Sequence, residues 1–161
     1  MDLELNKDTL RKVAGSFATG VAVVTCRSRD DSIEGITVNS FVSVSLEPPL
    51  ILFSIQRQAA FLLHLFIGQP IGISILSEHQ KSVSDYFAGL NNEEGLIGFE
   101  MFGEVEVVKD ALAYYHLEVD QIIRAGDHDL IICEVRGLSY RDGNPLLYFK
   151  GYKSIGTQVS D

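Results

Sequence analysis

Residues Gly35 to Ser54, GITVNSFVSVSLEPPLILFS, constrain this chain more than any other stretch. From Gly35 to Leu46 no side chain is charged, and the residues alternate. Ile36, Val38, Val42, Val44 and Leu46 fall on one face, while Gly35, Thr37, Asn39, Phe41, Ser43 and Ser45 fall on the other. Period two predicts a strand with one face on a core. The second face is unusual, because solvent-facing strands ordinarily carry Lys, Glu or Arg and this one offers small hydroxyls and one amide. Such a face either hydrogen-bonds a neutral polar ligand or lies under a neighbouring chain or loop. Glu47-Pro48-Pro49 then interrupts the ladder, since proline has no N–H to give it. Leu50 to Ile55 resumes as an apolar run, expected to be buried on both sides.

A length of 161 residues with 46% hydrophobic content suits one domain spanning 1–161 with a substantial core. The formal charge of −9 speaks against nucleic acid or an anionic membrane as partner, because both select a basic footprint. Cys26 and Cys133 sit inside strand-like runs and read as buried free thiols, which fits a reducing, cytoplasmic setting. The opening MDLELNKD is acidic and shows no apolar signal-peptide core. Ala59 to Ser77 has no Asp, Glu, Lys or Arg, but His64, Gln69 and Pro70 interrupt it. A short buried helix followed by a strand explains that run better than a membrane span.

Leu10, Val13, Ala14 and Phe17 stand at helical spacing, so Asp8 or Asn6 is expected to cap an amphipathic helix that covers one end of a sheet. Gly20–Cys26 reads as a strand and Arg27–Ser32 as a charged hairpin loop. Gln58–Ile67 is expected to be a helix apolar around much of its circumference, and Ile71–Leu76 a strand. Ser77-Glu78-His79-Gln80 has the form of a capping box, with helix to about Phe87 and a stop at Gly89. After an irregular acidic loop over Asn91–Gly98, strands are predicted at Glu104–Val107, from Tyr115 past Ile122, at Leu130–Leu138, and at Pro145–Phe149 behind an Asp142-Gly143 turn. Mostly antiparallel strands with a few short helices point to a closed or nearly closed barrel, which removes the sheet edges.

The residues offer little conventional catalytic chemistry. No Gly-x-Ser-x-Gly elbow, Walker loop or Rossmann glycine triplet occurs. The four histidines, His64, His79, His116 and His128, show no metal-ligand spacing beyond His128 between Asp127 and Asp129, a triplet that also reads as a solvated turn. A binding face without a nucleophile or an acid–base pair indicates that a cofactor carries the reaction.

FATGVAVVT (Phe17–Thr25), GITVNSFVSVSLEPPL (Gly35–Leu50), SEHQ with YFAG (Ser77–Gly89), AGDHDLIICEV (Ala125–Val135) and PLLYFKGY (Pro145–Tyr152) resemble, in order and spacing, the short-chain flavin reductases of two-component monooxygenases. The resemblance runs from about residue 9 to residue 155. It implies an antiparallel, Greek-key-like split β-barrel of the FMN-binding type, a homodimer, and reduction of FMN or FAD by NADH or NADPH for a separate monooxygenase. It places Thr37, Val38, Asn39 and Ser40, with Ser45 further along, on the flavin, and gives Gly35 a close backbone approach to it. Ile55, Gln56, Arg57, Ala59 and Ala60 match a second flavin segment, and Ser77 and Gln80 further contacts. His128 matches the family's nicotinamide-positioning residue, and Lys150 and Tyr152 the closing motif at the same mouth. The resemblance breaks where the family's phosphate-binding Asn-Ser-x-Thr stands, since the matching residues are Gln58, Ala59, Ala60 and Phe61. Arg57 or backbone N–H groups near Ala59 are the candidate substitutes. On this reading Asp127 and Asp129 both favour a protonated His128. A flavoenzyme with another acceptor, such as ferric iron or a disulfide, and a non-catalytic flavin-binding dimer are the alternatives.

Overall fold

A computed structural model describes residues 2–92, 95 and 97–153. The Val-rich run after Gly20 forms β2 (Ala22–Arg27), in which Ala22 to Cys26 are all buried. It lies between β3 (Ile33–Val38) and β6 (Pro70–Ile75), antiparallel to both. The sheet continues through β9 (Ala113–Ala125), β10 (His128–Tyr140), β5 (Pro49–Gln56) and β4 (Val42–Leu46), giving seven strands in the order β3-β2-β6-β9-β10-β5-β4. Phe53, Ile55, Ile71, Ile73, Leu117, Val119 and Ile131 project from neighbouring strands into the main core. The free thiols of Cys26 and Cys133 are buried, and burial pushes both up to about 12.

The stretch Gly35–Leu46 is two strands. After Val38 the chain leaves the first edge of the sheet, crosses at Asn39–Phe41 and becomes β4 at the opposite edge. The crossing resets the phase: Phe41 packs on the core, whereas Val42 and Val44 are each 48% exposed and Leu46 89%. In β5 only Ile51, Phe53 and Ile55 are fully buried, so this strand alternates where burial on both sides was expected. The two edge strands, β3 and β4, share no ladder. The sheet curls until β3 touches β5, and the Ser40 side chain spans the approach, its hydroxyl accepting from Ser54 N–H (2.9 Å) and lying 3.1 Å from the Ser54 carbonyl. A hydrogen-bonded closed barrel is therefore not what the described residues form.

The helices are smaller than the periodicity predicts. Helix α1 (Lys7–Ala14) is capped by Asn6, whose side chain accepts from Asp8 N–H (3.1 Å) and Thr9 N–H (3.0 Å). It buries none of its residues: Leu10 is 60% exposed, Val13 57% and, just beyond it, Phe17 79%. The expected helix over Gln58–Ile67 is a single 3-10 turn, Ala60–His64, which buries Phe61 and leaves Leu63, Phe66 and Ile67 exposed. Helix α2 (Lys81–Phe87) starts after Gln80 and ends at Gly89, whose φ of +75° favours glycine. Only half of the capping box forms: the Gln80 side chain accepts from Ser77 N–H (3.0 Å), while the Ser77 hydroxyl leaves Gln80 N–H to the Ser77 carbonyl.

A hairpin the alternation half conceals, β7 (Phe99–Phe102) with β8 (Val105–Val108), lies over β2 and β6. All four β8 residues are buried, including Glu106, whose carboxylate is held by Arg27. β1 (Thr19–Gly20), β11 (Leu147–Tyr148) and β12 (Tyr152–Lys153) make a small sheet beside the N-terminal end of β2.

Candidate functional site

Asn39 stands where three open hollows meet. One, of about 590 Å³, runs from Phe17 and Thr19 past Ser40 and Phe41 to Val42 and Ile75, and has no charged residue in its lining. That volume lies in the range of small-molecule sites. A second, of about 220 Å³, is bounded by Thr37, Val38, Ala88 and Tyr148, and a third, of about 580 Å³, lies towards α1 and Lys150. The position follows from the register: Ala22 is paired with Val38 on one side and Ile75 on the other, so the chain ends of β3 and β6 flank Val21 at one rim of the sheet.

The polar face read from the sequence is largely committed to the fold. Thr37 donates its hydroxyl to the Ser84 carbonyl in α2 (2.7 Å), and Ser40 bonds to Ser54. Gly35 makes room for Phe87, whose Cδ1 would lie 2.6 Å from an added Cβ. Gln80 is buried; its amide donates to the Lys109 carbonyl (2.8 Å) and its oxygen accepts from Ser77 N–H. Ser77 forms an isolated bridge with Pro145 and lines none of the hollows around Asn39. Ser45 stands apart in β4, at a register shift opposite Leu50. Asn39 is exposed and borders all three hollows.

The second predicted segment and the predicted nicotinamide residue do meet. His128 is paired with Gln56 across β10 and β5, two residues from the Ser54 that Ser40 holds. Arg57 N–H donates to the Asp127 carbonyl (2.9 Å), and its Nε lies 3.5 Å from Asp129. Ile55 points into the core, Ala59 packs against it, and Gln56, Arg57 and Ala60 are exposed. The half-buried His128 ring has Nδ1 2.7 Å from the Asp127 carboxylate, so a proton on Nδ1 is donated there and Nε2 is left to a ligand. That hydrogen bond, then the imidazole's charge, holds Asp127 below the usual carboxylate range. The contact therefore weakens in acid, as Asp127 protonates. Of the two carboxylates expected on His128, Asp129 turns to Arg57.

Lys150 adopts a left-handed backbone (φ +49°), holds its ammonium 5.4 Å from the Phe149 ring centroid, and lines the hollow towards α1. The backbone of Tyr152 pairs with Tyr148; its side chain lies outside the described residues. Thr19 and Tyr148, which the sequence did not single out, line this rim with Asn39. The Phe-Ala-Thr-Gly run was the available signal for Thr19.

The profile of the flavin reductase like domain matches residues 14–156. This chain belongs to the flavin reductase family. It is 39% identical to an NADH-dependent flavin reductase of a Rhodococcus species over 154 residues, covering 94% of this chain and 87% of that protein. The solved flavin reductase PheA2 in its native state superimposes with a TM-score of 0.87 at 36% identity, over 95% of this chain and 100% of that one. The styrene monooxygenase flavin reductase of Pseudomonas putida S12 does so with a TM-score of 0.84 at 30% identity, over 90% and 95%. In this flavin reductase, position 61 is a core aromatic: Phe61 is 6% exposed, in one cluster with Ala22, Val24 and Ile55. No group of three or more His, Cys, Asp or Glu that would hold a metal occurs among the described residues, and none of their helices is long and apolar enough to cross a membrane.

Proposed function

We propose that this chain is an NADH-dependent flavin reductase that takes hydride from the reduced dinucleotide and delivers reduced FMN or FAD to a separate monooxygenase. The observation that carries this reading is the convergence at one rim: Ser40 ties the 37–40 segment to β5, and β5 presents Gln56 beside His128. The hollow beside Asn39 suits an uncharged aromatic ring, because its lining is neutral and Thr19 contributes a buried hydroxyl with no partner among the described residues. A flavin bound there supplies the hydride-accepting ring; the chain supplies position, which is most of what hydride transfer requires. Asn39 holds the ring edge, Ser40 fixes the wall, and His128, aligned by Asp127, holds the nicotinamide end.

The domain spans 1–161 as one split-barrel unit of Greek-key type, and it works in the cytoplasm as a homodimer. Val42, Val44 and Leu46, together with Phe17 and Leu63, leave more apolar surface exposed than a lone small domain ordinarily keeps. In the deciding assay, NADH oxidation by the purified dimer accelerates in proportion to added free flavin. Activity confined to ferric iron or a disulfide as acceptor, or activity in a sedimenting monomer, would overturn these assignments.

For His128→Ala we expect the KM for NADH to rise severalfold while the flavin Kd stays within about twofold, because the lost contact is to the dinucleotide. Rapid-mixing reduction of flavin isolates that step. Weaker flavin binding with unchanged nicotinamide saturation would move His128 to the flavin instead.

A further inference from the structure

Arg11 and Lys12 close the last turn of α1 and border a hollow of about 580 Å³. Lys150 lines the same hollow with Thr19, Asn39 and Tyr148, and among the described residues no acidic one does. On a chain with 22 Asp and Glu against 13 Lys and Arg, three cations around one cavity invert the local charge. Among the described residues Arg11 has one ion pair, 3.8 Å to Asp8 with both side chains largely exposed, and Lys12 has none. A pair of that kind contributes little, so both cations remain available. The carbonyl end of a helix repels an anion, and basic side chains in its last turn are what offset that repulsion. Thr19 is the independent observation: its hydroxyl oxygen is buried and has no partner among the described residues.

We propose that Arg11, Lys12 and Thr19 form a phosphate site for the enzyme's nucleotide ligands, with Lys150 on the facing side. This rests on the flavin reductase reading. A phosphate brings charge and several acceptor oxygens, which guanidinium, ammonium and hydroxyl donors match. The matched family domain begins at residue 14, so Arg11 and Lys12 lie just before it. The site also supplies donors that Ala59 and Phe61 lack. The phosphate belongs either to the flavin or to the dinucleotide.

The test uses the full chain with Arg11→Gln and Lys12→Gln combined. Fluorescence titration gives the Kd of FMN and of riboflavin, and steady-state rates with saturating riboflavin give the KM for NADH. We expect about a tenfold rise, flattened in its salt dependence, in one of two quantities. A rise in the FMN Kd with riboflavin unchanged assigns the flavin phosphate; a rise in the KM for NADH, with kcat within about twofold, assigns the dinucleotide. Equal weakening of FMN and riboflavin, or no change in either arm, overturns the proposal. Thr19→Val is expected to weaken the same ligand severalfold while leaving the melting temperature unchanged or raised, since the hydroxyl it removes is unpaired; unchanged affinity removes Thr19 from the site. If the unaltered chain oxidises no NADH with any flavin, the reductase reading fails, and the FMN–riboflavin comparison still decides the phosphate site.

Discussion

Gly72→Ala is expected to cost at least about 3 kcal/mol of stability, a change of one methyl group. Gly72 is buried at the middle of β6, paired with Thr25 on one side and His116 on the other. The β7–β8 hairpin crosses at this point, close enough that a Cβ would strike the Glu106 carbonyl oxygen and come within 2.7 Å of Thr25 Oγ1 and 3.1 Å of Val107 Cγ1. The Thr25 hydroxyl donates to that same Glu106 carbonyl, so the obstruction is backbone already engaged from the other side. Overpacking a core ordinarily costs about 1–3 kcal/mol when side chains can shift. Here the hairpin must move as a unit, which also strains the contact between buried Glu106 and Arg27. For a chain of this length the loss corresponds to a fall in Tm of roughly 10 °C. Gly20→Ala is the control, because nothing lies within 4 Å of its added Cβ. A Gly72→Ala midpoint within a degree or two of the control would show that β8 does not press on β6.

Period two located nearly every strand, but it could not show that one pattern belonged to two strands. Val38 and Val42 keep the alternation of a continuous strand across Asn39–Phe41, although the chain there passes from one edge of the sheet to the other. A three-residue corner, which sets Val38 and Val42 four apart, preserves phase by coincidence, so the alternation puts Phe41 outside and Val42 inside when the reverse holds. Glu106 misled in the opposite sense, since a charge in an alternating run reads as solvent-facing until its partner Arg27, remote in sequence, is known. The apolar Gln58–Ile67 run was read as a buried helix because hydrophobicity reports a need for cover without saying what provides it. At the site, the family's motifs single out Asn39, Gln56 and His128, but not the pairing of Gln56 with His128 across β5 and β10. Nor was the commitment of Thr37 to Ser84 and of Ser40 to Ser54 legible, because a hydroxyl's partner depends on tertiary contacts.

Phe61 decides whether the family's missing phosphate hydroxyl is a vacancy to be refilled or a position given over to the core. Its ring is buried in the cluster that also holds Ala22, Cys26, Ile55 and Val119. Replacing such an aromatic with a small residue costs about 3–5 kcal/mol through lost burial and the cavity left behind. Phe61→Thr should fall in that range, since threonine fills only part of the space and adds a hydroxyl that needs a partner. Against a typical total of about 5–15 kcal/mol, the variant still folds in the cold, with its urea midpoint and Tm sharply lowered. Ala59→Ser is the informative contrast. Ala59 precedes the 3-10 turn with extended backbone (φ −68°, ψ 129°) and no side-chain cap, so a hydroxyl there can take up turn N–H groups without emptying the core. We therefore expect Ala59→Ser to retain or slightly raise stability, and Phe61→Thr to lose stability without gaining flavin affinity in titrations at low temperature. If Phe61→Thr instead keeps the parent Tm and binds FMN more tightly than riboflavin by a wider margin than the parent does, the ring is dispensable to the core and position 61 belongs to the phosphate.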